Sequence, residues 1–429
     1  MNVFIRYILI CLFVFSSFAH AQRQEVLTWQ ECVEETIRNH PDLSAAAEAI
    51  KIEKANRDIT LSNILPQISA EANKSWGESN GRSSMSGTPG APSTQNSYGV
   101  SGQQLVFDGF KSGYELKSAS RTVRASEYGY NTVSANIRLN LRTAFINLLK
   151  AQNSLSITQS ILTRRRQNME LVGLRYEGGR EHSGALFTAS ANLAEAEYWV
   201  VAAKRDLMLA QDQLAKELGR PYYSPITVKG SFKTPGPQKK QPDFEALAKE
   251  SPQFKELLNK KEASHMTVNA AKADFFPDLY LNTSVGKSSR QWPPKDNEWT
   301  VGMNLSLPVF EGGLQQAQLK KARAQFRSAG AQQNSLLNSL VYTLKETWTG
   351  WENSVDASHV QQQFLTAAIE RAKISDAQYS TGLITFNDWI IIENNLVNAR
   401  KALLEAEANV LLAEARWLQS QGRPLDAND

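Results

Sequence analysis

The sequence predicts a mainly α protein with a small β part, made of two duplicated halves that each carry two amphipathic strands and a long helical hairpin. Three observations lead there. Val106-Phe107-Asp108-Gly109, Tyr176-Glu177-Gly178-Gly179 and Gly219-Arg220-Pro221 return in the same order as Val309-Phe310-Glu311-Gly312, Tyr379-Ser380-Thr381-Gly382 and Gly422-Arg423-Pro424. Each member of the second set lies 203 residues after its counterpart, which marks an internal duplication. Apolar residues recur at heptad spacing over stretches longer than a globular domain needs, and four stretches of about ten residues alternate between apolar and polar.

Residues 1–21 read as a secretory signal: Arg6, an apolar stretch from Tyr7 to Phe18, then Ala19-His20-Ala21 as a small-x-small cleavage site. About twelve apolar residues are too few for a hydrocarbon core that needs ~20. Of the two cysteines, Cys11 leaves with the signal and Cys32 remains alone, so no intrachain disulfide is expected and no cysteine follows the cleavage site as a lipid anchor. Cys32 is expected to sit half-buried on a helix. The chain has 47 basic and 43 acidic residues, a formal balance of +4. That excess suits neither a nucleic-acid footprint nor a polybasic membrane patch.

A helix is expected from Thr28 to about Arg38, broken at His40-Pro41, and a second from Leu43 to Leu65, closed by Pro66. Pro252 and Pro277 bracket the equivalent helix of the second half. Two strands follow in each half. Trp299, Val301, Met303, Leu305, Leu307 and Val309 oppose Thr300, Gly302, Asn304 and Ser306; Leu279, Leu281, Thr283 and Val285 oppose Tyr280, Asn282 and Ser284. In the first half Ile68, Ala70, Ala72 and Trp76 share a face that Lys74 interrupts, and the strand from Tyr98 to Phe107 is assigned by its place in the repeat. Gly77–Ser97 and Gly286–Glu298, rich in Ser, Gly, Asn and Pro, read as the loops between paired strands.

From Gly109 the period changes. Leu141, Leu148, Leu155, Leu162 and Met169 recur every seven residues, interleaved by Ile137, Ala144 and Ala151. A helix from Gly109 to Tyr176 would extend ~100 Å at 1.5 Å per residue. The returning helix carries Leu186, Leu193, Val200, Leu207 and Leu214 beside Ala189, Ala196, Ala203 and Ala210; the second half repeats the alanine ladder as Ala399, Ala406 and Ala413. Small residues at this spacing let antiparallel helices approach closely, so each half is expected to end in a long hairpin turning near Tyr-x-x-Gly. The expected organisation is signal 1–21, first repeat 22–221, linker 222–242, second repeat 243–424 and tail 425–429.

Four amphipathic strands have the length of membrane-barrel strands. Four cannot close, and an open edge in lipid leaves backbone groups unpaired at several kcal/mol each. Copies must therefore share a barrel: two chains would give eight strands and a filled interior, three would give twelve and room for water. Trp76, Tyr98 and Trp299 are candidates for the membrane-interface girdle. A soluble antiparallel sheet with one wet face fits the alternation equally well.

Leu307-Pro308-Val309-Phe310-Glu311-Gly312-Gly313, its partner Val106-Phe107-Asp108-Gly109, the two Tyr-x-x-Gly turns and the two Gly-Arg-Pro helix ends resemble the TolC-like outer-membrane efflux proteins, over essentially the whole mature chain. The resemblance implies a homotrimer in the outer membrane of a Gram-negative bacterium, forming one 12-stranded transmembrane β-barrel continued by a coiled-coil tunnel through the periplasm. It also implies a periplasmic adaptor at the tunnel tip, coupled to an inner-membrane pump of RND or ABC type. Tyr176, Gly179, Tyr379 and Gly382 would then shape the tip and receive the adaptor. Asp388 takes the position of an acidic constriction residue, with apolar Ile391 where some relatives have a second acid. Gly109 and Gly312 would let the chain swing from strand into helix, with Asp108 and Glu311 at helix N-termini.

Catalytic chemistry is not expected. His40, His182, His265 and His359 have no zinc-ligand spacing, and neither a phosphate-binding Gly-x-x-x-x-Gly-Lys motif nor a Gly-x-Ser-x-Gly elbow is present. No cofactor, metal or nucleic acid is implied. Beside a passive conduit stand two other readings, a periplasmic coiled-coil scaffold without a pore and a self-sufficient diffusion porin.

Overall fold

The computed structural model describes residues 25–77, 93–221, 225–232, 236 and 240–427. The expected signal lies outside the described residues, as do most of the first inter-strand loop and part of the linker. The chain divides into two compact units. One comprises Ala45–Tyr130 and Lys249–Ser339; the other comprises the residues up to Ser44, Asn131–Ala248 and Leu340–Asp429.

The first of these units holds a four-stranded antiparallel sheet. Its strands are β2 (Gln67–Gly77), β3 (Ser93–Phe107), β5 (Asp278–Ser289) and β6 (Asp296–Ser306), in the order β2-β3-β5-β6. Register places Ala70, Val100, Val285 and Trp299 in one row, and Ser69, Ser101, Ser284 and Thr300 in a row on the opposite face. The predicted alternation therefore holds across all four strands. Trp299, Val301, Met303 and Leu305 are 63–76% exposed, so nothing among the described residues covers this part of the apolar face. Among the described residues, β2 and β6 have no further strand on their outer edges.

The loops are shorter than expected. Residues 93–97, and 286–289 with 296–298, belong to strands. The sequence misleads here because the wet face of a sheet uses the same Ser, Asn and Gln that make loops. Helices α2 (Pro41–Ser62) and α6 (Pro252–Ala273) precede β2 and β5; α2 starts at Pro41 rather than Leu43 and ends at Ser62 rather than Leu65, and α6 opens at Pro252 as expected. Val268 and Ala271 of α6 pack on Ala322, with Leu319 and Phe326 alongside.

The second unit contains the hairpins. Helices α3 (Lys111–Glu177) and α7 (Leu314–Thr381), shared between the units, run unbroken for 67 and 68 residues; α4 (Ser183–Glu217) and α8 (Phe386–Ser420) return. The buried seam of α3 follows Ile137, Ala144 and Ala151, and continues at the same spacing through Thr158, Arg165 and Val172. The leucine column is buried at Leu141 and Leu148 and half-buried from Leu155 onward. Opposite it, Ala189, Ala196, Ala203 and Ala210 of α4 are buried, as the alanine ladder requires. The second ladder, Ala399, Ala406 and Ala413, is only half-buried. No described helix is long and apolar enough to cross a membrane.

Short elements complete this unit. Helix α1 (Trp29–Asn39) begins with a reciprocal capping box, Thr28 N donating to Glu31 Oε2 at 2.7 Å and Glu31 N to Thr28 Oγ1 at 3.4 Å. Strand β1 (Glu25–Leu27) pairs in parallel with β4 (Ile226–Val228), within the expected linker, and α5 (Phe244–Glu250) follows. Three-residue strands carry no readable period. Cys32 is fully buried rather than half-buried. Burial, reinforced by Glu35, pushes its thiol up to about 12. Since the thiolate is the reactive form, a maleimide at neutral pH is expected to leave Cys32 unlabelled in the folded protein and to label it after denaturation; labelling of the native chain would contradict the buried site.

Candidate functional site

Two regions gather the candidate residues, one in each unit. In the sheet unit, Trp76, Tyr98 and Trp299 all lie on the apolar face, toward the ends of the strands that lead into the loops. They are 72%, 41% and 76% exposed. The polar face offers hydroxyls and amides, with Ser69 Oγ and Ser101 Oγ 2.8 Å apart. The carboxylates Glu71, Asp278, Asp296 and Glu298 lie on the same face.

At the opposite end of the sheet the chain turns into its long helices. Asp108 Oδ2 accepts from Ser112 N at 2.7 Å and from the Ser112 hydroxyl, capping α3. Gly109 and Phe110 both have positive φ, 64° and 67°. A Cβ on Gly109 would fall 2.7 Å from Phe276 Cβ and 2.9 Å from the Ala273 carbonyl. Lys111 Nζ reaches Asp274 at 2.7 Å, fixing the start of α3 against the end of α6. The second turn is looser. Gly312 (φ 62°) has nothing near its Cβ position, Gly313 is also left-handed, and Glu311 is exposed.

In the hairpin unit the two Tyr-x-x-Gly turns close α3 and α7 with the same hydrogen bonds. Arg180 N donates to Arg175 O and Gly179 N to Tyr176 O; Leu383 N donates to Gln378 O and Gly382 N to Tyr379 O. Both glycines are left-handed, as this helix ending demands. The following helices are capped differently. His182 Nδ1 accepts from Ala185 N, whereas Thr385 Oγ1 accepts from Asp388 N at 3.2 Å and donates to Asp388 Oδ2 at 2.7 Å. Asp388 is exposed.

The two tyrosines differ most. Tyr176 is 42% exposed and Tyr379 is fully buried. The Tyr379 ring stacks on Trp389 with centroids 4.3 Å apart and an 8° tilt, Arg175 lies over it at 4.6 Å, and Arg175 Nη1 donates to the Tyr379 carbonyl at 2.8 Å. Its hydroxyl donates to Glu181 Oε2 at 2.9 Å, tying the second hairpin to the first. Burial and this bond both raise its pKa, so the phenol stays protonated.

Deeper along the helices lies a polar network that no motif announced. Arg164 holds Glu393 through Nε at 2.5 Å and Nη2 at 2.6 Å, and Nη2 also donates to Asp376 at 2.8 Å. Trp389 Nε1 donates to the other Asp376 oxygen at 2.9 Å, and Asn168 Nδ2 to Glu393 at 3.1 Å. Glu393 is 1% exposed, so its carboxylate is held by Arg164 and Asn168 rather than by water. Arg165, in the buried seam, bonds Asn394. The available sequence signal was the heptad column itself, which runs Thr158, Arg165 where an apolar residue belongs.

A sequence profile of the family described as outer membrane efflux protein matches residues 32–220 and 245–423. The chain is 24% identical over 392 residues to the outer membrane protein TolC of Escherichia coli K12, covering 87% of this chain and 78% of that protein. It is 21% identical over 419 residues to the outer membrane efflux protein BepC of Brucella suis, covering 93% and 88%. The solved structure of the outer membrane protein VceC from Vibrio cholerae shares the fold at a TM-score of 0.80 and 19% identity, over 93% of this chain and 97% of that one.

The two strand-to-helix glycines separate backbone strain from crowding. Gly312→Ala is expected to cost about 1–2 kcal/mol, the left-handed penalty alone. Gly109→Ala should cost distinctly more in denaturant unfolding, because its methyl meets backbone and Phe276; equal costs would contradict the close approach. In the hairpin unit, Arg164→Met alone strands the buried Glu393 carboxylate and should destabilise by about 3–5 kcal/mol. Adding Glu393→Leu should recover most of that loss, measured by the same unfolding assay.

Proposed function

Because this chain belongs to the outer membrane efflux protein family, we propose that it is the outer-membrane conduit of a tripartite export system and conducts passively what an inner-membrane pump delivers through a periplasmic adaptor. The observation that carries this reading is the sheet: four strands whose edges and apolar face have no partner among the described residues, and an opposite face lined mostly with Ser, Thr, Asn and Gln. Three copies joined edge to edge through β2 and β6 make twelve strands. That satisfies every edge group, turns the apolar faces to lipid and encloses a wet lumen. Chemistry is not needed for this task, which fits a family of channels rather than enzymes.

The energy for transport is supplied elsewhere, and the chain's own contribution is a gate. Tyr176, Gly179, Tyr379 and Gly382 shape the two turns at the tip, where an adaptor would dock. The Tyr379–Glu181 bond and the Arg164–Glu393–Asp376 network hold the second hairpin against the first. Opening requires these ties to break or exchange, a two-state change that adaptor contacts bias. Asp388, exposed in the first turn of the helix after the second turn, would on this reading face its copies across a narrow tip.

Purified protein in planar bilayers is expected to give small, gated currents as a trimer. Large permanent currents would mean a diffusion porin, and no current would mean a scaffold. Asp388→Cys, oxidised to cross-link or bridge the tips, should abolish export in cells while the trimer survives; unchanged export would remove Asp388 from the gate.

A further inference from the structure

The four strands sort their charges by face. Among the described strand residues, the carboxylates Glu71, Asp278, Asp296 and Glu298 all lie on the polar face, and the only charged residues on the apolar face are Lys74 and Lys287. Register puts these lysines in adjacent rows. Lys287 shares a row with Ala72, Tyr98 and Asn297, and Lys74 shares the next row toward the loops with Asn96 and Ser289. Both therefore sit at the loop end of the apolar face, interleaved with Trp76, Tyr98 and Trp299. The Lys74 ammonium stands 5.0 Å from the centre of the Trp76 ring, and Tyr98 meets Trp292 edge-on at 6.5 Å.

A lysine facing hydrocarbon is costly at mid-membrane and nearly free at the interface, so this pair marks the headgroup level of the lipid leaflet at the loop end. No carboxylate on this face is available to pair with either lysine among the described residues. Two ammonium groups without acidic neighbours, framed by interfacial aromatics, complement one kind of neighbour in a membrane: a phosphorylated headgroup.

Resting on the outer-membrane reading above, we propose that Lys74 and Lys287 form a binding site for phosphorylated lipid headgroups in the leaflet on the loop side of the barrel. The ammonium groups take the phosphate oxygens, and Trp76, Tyr98 and Trp299 take the boundary between headgroup and acyl chains. The site lies on the outside of the conduit and recognises its surroundings rather than its cargo.

The test uses the full mature chain, purified in detergent and titrated with lipid A carrying its phosphates or stripped of them, with retained lipid counted by native mass spectrometry. The native protein should prefer the phosphorylated form. Lys74→Gln with Lys287→Gln should weaken its binding about thirtyfold, from about fivefold per lysine near a charged membrane surface. Lys74→Arg with Lys287→Arg should retain the preference, showing that charge rather than folding is read. Equal binding of both lipid forms by the native protein, or unchanged binding by the glutamine variant, would mean that the lysines only reach for water, and would overturn the site. Full displacement by millimolar inorganic phosphate would overturn the headgroup assignment in favour of a free anion. Failure of the native chain to insert into lipid bilayers would sink the conduit reading as well, whereas insertion without phosphate preference sinks only this site.

Discussion

The unpaired edges of one small sheet constrain everything else in this molecule. Among the described residues, β2 and β6 each present an open row of backbone donors and acceptors, and the apolar face between them is uncovered. In water the edges would be hydrated and the face would aggregate. In lipid the face would be satisfied and the edges would not. Only closure with further copies meets both demands at once. The connections at Pro66, Gly109, Pro277 and Gly312 all lie at the end of the sheet opposite the loops, so closing the sheet also gathers the helices of every copy at one end.

Duplication supplied two versions of each joint, and the structure shows them diverging in how tightly they are held. The first strand-to-helix turn is capped by Asp108, crowded at Gly109 and clamped by Lys111–Asp274. The second has two left-handed glycines and open space. The hairpin turns diverge in the opposite sense: Tyr176 is exposed, while its counterpart Tyr379 is buried under Arg175 and against Trp389. Equal backbone geometry at the two turns, with unequal side-chain anchoring, leaves one hairpin to be held by the other.

Repeated spacing, heptads and strand alternation made the fold legible before any coordinates, because each is a property of one element and its solvent. Strand ends were less legible. Ser93 to Ser97 looks like loop because a wet strand face and a loop select the same residues. The cross-hairpin network was not legible at all. Arg164 lies more than two hundred positions before Asp376 and Glu393, and each alone reads as an ordinary helix-surface charge; only packing shows that Glu393 is buried against its partner. Asp388 is singled out in the sequence by its place after the turn, and what the structure shows of it is a capping bond with Thr385, a role that any helix start could give it.

That network limits how the hairpins can move. A seam of alanine and leucine alone can slide by small steps, since dispersion contacts are lost and regained gradually. A buried carboxylate cannot. Any shift that separates Arg164 from Glu393 by an ångström or two leaves a desolvated charge without its counter-ion, at several kcal/mol, until another donor arrives. Asp376 is held at once by Arg164 from the first hairpin and Trp389 from the second, and Tyr379 by Glu181 close to the turns. The ties thus sit at two levels along the same helices. Movement at one level strains the other, so any parting of the hairpins is expected to involve both levels together.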